Sequence, residues 1–255
     1  MGVFSGQISP SGAGREVRIE RMRPAQVDEA KQGRAAIYVP FGSLEWHGYH
    51  NPVGLDALKA HEQLVGLALQ AGGVVYPPVF WGSGGGHLDW PHTFMVEAEP
   101  MTRLVTQLLF GFEKDGYRQA ILLSGHYPNR SQYLDAAIQN YLAGEGGQRS
   151  TQPMKVLALV ENQIPAGKGD HAALYETSFM LYLHPDTVDA AALRLPEGAA
   201  ASDPTQVVNW MGAEWKGHPC YGLVGIDPRQ HANPGLGAQM TTDLITYLEQ
   251  WLEEA

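Results

Sequence analysis

Four short apolar runs that alternate with helical patterns constrain the fold of this chain more than any other feature. The runs cover residues 35–39, 74–76, 120–123 and 155–160. Helical periodicity follows at residues 56–70, 101–115, 132–142, 172–183 and 233–254. Short, continuously apolar runs are typical of strands that are buried on both faces. Their alternation with helices predicts one α/β domain with a doubly wound, mostly parallel sheet.

The composition excludes several classes of protein. A chain of 255 residues with a net charge of −10 lacks the basic face of a nucleic-acid-binding protein. No apolar run approaches the roughly 20 residues that span a bilayer, and the single Cys220 excludes an internal disulfide framework. The Gly- and Ser-rich start lacks the apolar core of a signal peptide. We therefore expect a disordered arm over residues 1–16, one domain over residues 17–255 and a cytoplasmic location.

A polar stretch directly after the first apolar run carries three candidate metal ligands. Pro40 and Gly42 are expected to end the strand. Glu45 and His47 stand two residues apart, which projects both side chains to one side of an extended backbone, and Asp56 opens the next helical pattern. Carboxylate oxygens and imidazole nitrogens are ligands for divalent metals. A polar loop whose side chains cap nearby backbone groups would contain the same residue types, so both interpretations stand.

Two further strand ends add histidines. His87 lies in a Gly-rich loop after the second run, and His126 follows the third run closely. This loop lacks the Lys-Ser/Thr ending of a P-loop and the spacing of a dinucleotide fingerprint, so phosphate binding is rejected. The functional loops of an open parallel sheet lie at the carboxyl ends of its strands. We therefore expect both histidines close to Glu45, His47 and Asp56, which favours a metal centre.

Several segments resemble the creatininase family of amidohydrolases. The run from Gly42 to Gly48, with Asp56 after it, resembles the family pattern G-S-x-E-x-H-G…D. Further segments match in family order: Gly125-His126 with Asn129, Asp170-His171-Ala172 with Glu176-Thr177-Ser178, His87 with Trp90-Pro91 and Thr93, and a closing segment from Gly222 to Pro228. Each match is short, but together they run from about residue 20 to the C-terminus.

The resemblance implies a binuclear metal hydrolase on a three-layer α/β/α sandwich, which often assembles as a hexamer. Such an enzyme cleaves a non-peptide C–N bond of a small amide, cyclic amide or formamide through a metal-activated hydroxide. The implied cofactors are two divalent ions, and a mixed imidazole and carboxylate site accepts Zn, Mn or Fe. Carried over by position, the implied metal ligands are Glu45, His47, Asp56 as the bridge, His126 and Glu176.

The resemblance also implies catalytic and substrate-binding residues. His171 would move a proton or steady the tetrahedral intermediate, and Glu176 would serve catalysis as well as the metal. His87 and Tyr127 are the candidate substrate contacts. For His171 and Glu176 the alternative is a role at the start of the helix that carries Glu176.

Three departures from the family pattern favour a substrate other than creatinine. Pro128 stands where creatinine-hydrolysing members carry a ligand Glu, so Glu176 must supply that carboxylate. His92 and Ala173 each replace a family Gly, and the tryptophans that flank the catalytic His of creatininases are not evident around Asp170 and His171. These changes fit the wider branch of the family, which includes formamide-cleaving and peptide-trimming members.

A second hypothesis is a catalytically silent homologue that keeps the metal as an assembly scaffold. The retained ligand set argues against it, because a silent site has no need of five ligands and a histidine. The expected partners are a small-molecule amide and further copies of the chain, without nucleic acid or membrane. The loops at residues 81–94 and 186–220 carry no pattern that identifies the substrate.

Overall fold

A parallel four-stranded sheet forms the centre of the molecule, seen in a computed structural model that describes residues 15–85, 88–145, 152–195, 197 and 203–254. The strands in chain order are β1 Ala36–Phe41, β2 Val74–Val75, β3 Gln119–Ser124 and β4 Lys155–Val160. They lie in the order β2-β1-β3-β4, and every neighbouring pair is parallel. The four predicted strands and their parallel arrangement are confirmed.

Helices cover both faces of this sheet. Their bounds are α1 Pro24–Gly33, α2 Leu55–Ala71, α3 Ala98–Lys114, α4 Asp135–Ala143, α5 Leu174–Leu183, α6 Pro228–His231 and α7 Pro234–Glu254. A π-helical turn, Arg130–Leu134, leads into α4. Helices α2 and α7 pack on one face of the sheet, whereas α3 and α4 pack on the other. The molecule is therefore the three-layer α/β/α sandwich that the resemblance implies.

The alternation of side chains along the central strands explains the two layers. In β1, Tyr38 belongs to the core beneath α2 and α7, while Ile37 and Val39 belong to the core beneath α3 and α4. Successive side chains of a strand point to opposite faces, so a strand covered on both sides must be apolar throughout. Fully burying one such side chain stabilises the fold by about 1.5–3 kcal/mol.

Two expectations drawn from the sequence are corrected. Pro40 does not end β1, because the strand continues to Phe41. The neighbouring strand β2 ends before it reaches Pro40, so the missing N–H of proline costs no hydrogen bond between β1 and β2. The Pro40 carbonyl still accepts a hydrogen bond from Val79 N at 2.9 Å. The weak periodicity of residues 186–217 predicts surface loops and short helices, yet Val207–Asn209 forms β5, which pairs antiparallel with β6, Val224–Ile226.

Some sequence predictions fall outside the described residues. These are most of the predicted disordered arm, at residues 1–14, and most of residues 144–151, whose polar sequence predicts a surface loop. The first described residue, Arg15, donates from Nη2 to the Ala68 carbonyl at 2.8 Å. No described helix is long and apolar enough to cross a membrane.

Candidate metal centre

Five buried side chains meet at the carboxyl edge of the sheet. The loop after β1 contributes Glu45 and His47, the first turn of α2 contributes Asp56, the loop after β3 contributes His126, and α5 contributes Glu176. Each is at most 4% exposed. Three carboxylates this far from water need positive partners, because burial of unpaired charge is very costly. The structure thus brings together all five residues that the resemblance implies as ligands.

Asp56 turns its two carboxylate oxygens toward different histidines. Its Oδ1 lies 3.3 Å from His47 Nε2, and its Oδ2 lies 3.4 Å from His126 Nδ1. The same His126 nitrogen is 2.9 Å from Glu45 Oε2, and Ser43 Oγ donates to Asp56 Oδ2 at 2.7 Å. The donors form two groups that share Asp56, each with its donor atoms within 4.8 Å of one another: Glu45, Asp56 and His126, and His47, Asp56 and Glu176.

A backbone hydrogen bond sets the tautomer of His47. Its Nδ1 lies 3.0 Å from the Glu45 carbonyl oxygen, which can only accept, so Nδ1 carries the proton. In the neutral ring, Nε2 then presents a lone pair to Asp56 Oδ1 and to Glu176 Oε2, which is 3.6 Å away. Three acceptor atoms that face one another require a proton or a metal cation between them. A histidine whose other nitrogen donates to a carbonyl is typical of metal ligation.

The carboxylates give this centre a strong affinity for positive charge. Burial disfavours the charged form of His47, but the attraction of Asp56 outweighs burial and raises the pKa of His47 to about 9. Burial acts on His126 in the same way, yet its hydrogen bonds to Asp56 and Glu45 raise its pKa to about 10. Burial alone would raise the pKa of Asp56, but the charge of His47 holds it well below its usual range. A divalent cation would take the place of these protons.

Two glycines allow the first turn of α2 to approach the strand ends. A Cβ built on Gly42 would lie 2.1 Å from the backbone nitrogen of Ala57, and a Cβ on Gly125 would lie 2.2 Å from the carbonyl oxygen of Asp56. Any side chain at either position would therefore push the helix away. The glycines of the two strand-end segments place Asp56 between Glu45 and His126.

Asn129 joins the loops that follow three different strands. Its Nδ2 donates to the Gly42 carbonyl and to Ser124 Oγ, both at 3.1 Å, and its Oδ1 accepts from Ser83 N at 2.9 Å. Gly42 follows β1, Ser83 follows β2 and Ser124 ends β3. Asn129 itself is fully buried. This side chain therefore fixes the relative positions of the loops that carry Glu45 and His126.

His171 lies beside the five-residue cluster and is held by its backbone and its ring. Its backbone pairs with Val224 of β6, donating N–H to the Val224 carbonyl at 2.8 Å and accepting from Val224 N at 3.0 Å. Its Nε2 donates to the Trp46 carbonyl at 3.0 Å. Burial, and then the charge of His47, lowers its pKa. His171 also forms a third candidate ligand group with Glu45 and His47.

The sequence did not reveal the aromatic cover over His171. The ring centroid of Trp90 lies 5.5 Å from that of His171 and 5.9 Å from that of Tyr221. Trp46 completes the cluster and donates from Nε1 to the Tyr221 carbonyl at 3.0 Å. Tryptophan therefore does flank His171, although it comes from segments distant in sequence. The aromatic cluster limits the access of water to the imidazole.

Lys59 and Glu161 also belong to the site, although no sequence motif marks them. Lys59 is fully buried in α2, one turn after Asp56, and its Nζ lies 2.7 Å from Glu176 Oε1 and 2.9 Å from Glu161 Oε2. Burial disfavours its charge, but the attraction of Glu161 and Glu176 holds its pKa well above its usual range. A lysine among the apolar residues of a helix face was the available signal, since such a residue is almost never buried without partners.

A cavity of about 260 Å³ opens onto the cluster. Its lining includes Tyr127 and Pro128 beside the five candidate ligands and His171. The hydroxyl of Tyr127 and Nε2 of His126 are buried and have no hydrogen-bond partner among the described residues. Tyr127 thus lies at the site, as expected for a substrate contact. The other candidate substrate contact, His87, lies outside the described residues.

Comparison with known proteins places the chain in a family. Residues 20–252 match the family model Creatininase, described as creatinine amidohydrolase. The creatinine amidohydrolase of Pseudomonas putida is 29% identical over 178 residues, which cover 62% of this chain and 67% of that protein. A 3-dehydro-scyllo-inosose hydrolase of Thermotoga maritima is 31% identical over 111 residues, 43% of this chain and 36% of that protein. A mycofactocin precursor peptide peptidase of Mycolicibacterium smegmatis is 27% identical over 158 residues, 60% of this chain and 59% of that protein.

Solved structures agree with this placement. A crystal structure of creatinine amidohydrolase superposes with a TM-score of 0.73 at 21% identity, covering 94% of this chain and 98% of the other. Two further creatininase structures, one described as the Mn form and one as a mutant of Zn–Zn type, each give a TM-score of 0.72 at 20% identity over the same shares of the two chains. The buried cluster of carboxylates and imidazoles lies at the carboxyl edge of this shared fold. The chain belongs to the creatininase family and is a metal-binding hydrolase of the creatininase type.

Proposed function

We propose that this protein hydrolyses a C–N bond of a small amide, cyclic amide or formamide at a centre of two divalent metal ions. The observation that carries the proposal is the geometry of His47. Its Nδ1–H donates a hydrogen bond to the Glu45 carbonyl, and its Nε2 faces the carboxylate oxygens of Asp56 and Glu176 at 3.3 and 3.6 Å. A neutral imidazole and two carboxylates in this arrangement fit a metal cation.

The two overlapping donor groups support two ions rather than one. Glu45, Asp56 and His126 would hold one ion, while His47, Asp56 and Glu176 would hold the other. Asp56 would bridge them, since each of its oxygens faces one group. Oxygen and nitrogen donors suit Zn, Mn or Fe, and the related creatininase structures are described as Zn–Zn and Mn forms. When bound, two such ions polarise a carbonyl and lower the pKa of water.

His171 is the residue that we assign to proton transfer. Its Nε2–H is engaged by the Trp46 carbonyl, so the neutral ring keeps its lone pair on Nδ1. Burial lowers the pKa of His171, which keeps the ring neutral and able to accept a proton near neutral pH. The aromatic cluster of Trp46, Trp90 and Tyr221 would exclude bulk water from this transfer.

Tyr127 is the group that we assign to the substrate. Burial raises the pKa of its hydroxyl well above the usual range, so the hydroxyl stays protonated and can donate a hydrogen bond. Pro128, beside it, offers no carboxylate at the position where creatinine-hydrolysing relatives carry one. A cavity of about 260 Å³ limits the substrate to a small molecule. These features favour a small neutral amide other than creatinine.

The alternative of a silent scaffold predicts bound metal without turnover. The test combines metal analysis of the purified protein with a hydrolysis screen over linear amides, cyclic amides and formamides. We expect about two divalent ions per chain and release of amine from at least one class. Bound metal without hydrolysis of any class would favour the scaffold.

The variant Asp56→Ala provides the matched control for this test. Both groups lose their shared ligand, so we expect the metal content and the activity to fall together, because the residues that orient the ligands cannot take the place of one. A variant that retains two ions and full activity would refute Asp56 as the bridge. Circular dichroism of the variant would exclude unfolding as the cause of the loss.

A further inference from the structure

Glu176 uses its two carboxylate oxygens for different contacts. Oε1 accepts from Lys59 Nζ at 2.7 Å. Oε2 accepts from the backbone N–H of Ala172 at 2.7 Å and faces His47 Nε2 at 3.6 Å. One oxygen therefore points away from the metal-binding group and the other points into it.

The Ala172 backbone is held in a strained conformation that serves this contact. Its φ is +53°, in the left-handed region that non-glycine residues rarely adopt, at a cost of roughly 1–3 kcal/mol. In this conformation its N–H reaches Glu176 Oε2. The strain follows directly after His171, whose backbone is paired with β6.

Glu161 provides a second carboxylate for Lys59. Its Oε2 lies 2.9 Å from Lys59 Nζ, and all three side chains are at most 3% exposed. A buried lysine with Glu176 as its only partner would neutralise the carboxylate that the metal needs. With Glu161 present, one lysine is shared between two carboxylates, so its attraction does not act on Glu176 alone.

We propose that Lys59, itself held by Glu161, is a positioning residue that makes Glu176 a ligand through Oε2 alone. The inference rests on the metal centre proposed above and goes beyond it, because it assigns Lys59 and Glu161 a role in one of the two metal groups. Lys59 does not line the cavity that opens onto the cluster. It acts on the group of His47, Asp56 and Glu176, and it leaves the group of Glu45, Asp56 and His126 unaffected.

The test measures the affinity of each ion by chelator competition in wild type, Lys59→Met, Glu176→Gln and the double variant of these two. We expect the ion held by Glu45, Asp56 and His126 to bind Lys59→Met as tightly as wild type. The ion held by His47, Asp56 and Glu176 should bind about 10–100-fold more weakly, the usual effect of losing an outer partner of a metal ligand. In the Glu176→Gln background, Lys59→Met should have no further effect on either ion.

Leu64→Ala is the control. Leu64 is fully buried in α2 and packs in the apolar core beneath α2 and α7, where it meets apolar side chains. Its replacement should lower thermal stability without changing the affinity of either ion. If Lys59→Met weakens both ions equally, or neither, the positioning role is refuted.

Two further measurements keep the inference testable if Lys59→Met does not fold. The variant Lys59→Met/Glu161→Met removes the lysine without stranding Glu161, and the same selective loss is expected. A crystal structure of the Mn-loaded wild type should have Glu176 bound through one oxygen, with Lys59 on the other; a bidentate Glu176 would refute the inference. A wild type that binds no divalent ion would refute the proposed function as well, whereas two ions with unchanged variants would refute only the role of Lys59.

Discussion

At the scale of single residues, the site depends on which atom of each side chain is already engaged. His47 Nδ1 donates a hydrogen bond to the Glu45 carbonyl oxygen, and His171 Nε2 donates one to the Trp46 carbonyl oxygen. On our proposal, the remaining nitrogen of each ring serves metal binding in His47 and proton transfer in His171. Backbone contacts therefore give the two neutral histidines different tautomers.

Replacement of His171 tests this division of roles. We expect His171→Ala to keep close to two ions per chain and to lower turnover by roughly 10²–10⁴-fold, the range for a lost general acid or base. The measurements are metal stoichiometry and rate against one confirmed substrate. An emptied site would instead make His171 a ligand, as its third group with Glu45 and His47 allows. If neither value changes, His171 has only a structural role.

The metal-free protein should become less stable as the pH rises through the alkaline range. The folded-state pKa values of His47 and His126, about 9 and 10, lie above the ordinary value of 6.5. A raised folded pKa contributes stability that is complete below the unfolded pKa and is lost as the pH passes the folded pKa. Thermal unfolding of chelator-treated protein between pH 6.5 and 10 measures this loss. Metal-loaded protein should not show it, because the ions displace both protons.

The residues of the site could be predicted from the sequence where they lie close together in one motif. They could not be predicted where contacts join distant segments. Glu45, His47 and Asp56 stand in one stretch, and the parallel-sheet rule brings His126 to them. Lys59 could not be assigned, because its partner Glu161 comes from the end of another strand. Trp90 reaches His171 only through the folding of a long loop. The roles of the assigned ligands remain predictions until metal is measured.

At the scale of elements, the contact between α2 and the strand ends limits what the sequence can vary. We expect Gly125→Ala to destabilise the fold by about 1–3 kcal/mol, the usual cost of overpacking, because its Cβ would lie 2.2 Å from the Asp56 carbonyl oxygen. It should also lower metal content, since Asp56 must move. The free energy of unfolding and the metal stoichiometry measure the two effects.

Gly111→Ala is the control for this prediction. Gly111 lies within α3, and a Cβ built on it would meet no atom within 4 Å. Alanine in a helix interior is favoured over glycine by roughly 0.5–1 kcal/mol, so this variant should be slightly more stable and keep its metal. Equal losses in both variants would show that the close approach at Gly125 is not the cause.

The core elements were predictable from sequence because their signals are local. Continuous apolar runs give the strands, and helical periodicity gives α2, α3 and α7. The β5–β6 ribbon was not predictable as such, because β5 spans only three residues and two of them are exposed. Its partner lies in a distant segment, so the pairing follows from tertiary contacts that a local pattern cannot record. The continuation of β1 through Pro40 was not predictable either, because it depends on how far the neighbouring strand β2 extends.

At the scale of the whole molecule, we expect the protein to assemble into a homo-oligomer, with six copies as the size that the family resemblance implies. Light scattering over a range of protein concentrations measures the mass in solution. A stable monomer at working concentrations would remove this expectation. Neither the composition nor the fold of one chain decides the number of copies.

The pairing of His171 with β6 joins this imidazole to a segment that carries none of the proposed metal ligands. Val224 holds the backbone of His171, and the neighbouring Tyr221 belongs to the aromatic cover of the same ring. During evolution, exchange of this segment would therefore alter the shape offered to the substrate and the position of the proton-transfer group in one event. The metal ligands come from other parts of the chain and would persist through such an exchange. Proteins that evolve from this one would thus gain new substrates through changes in this segment, and the position of the histidine would have to be adjusted at the same time.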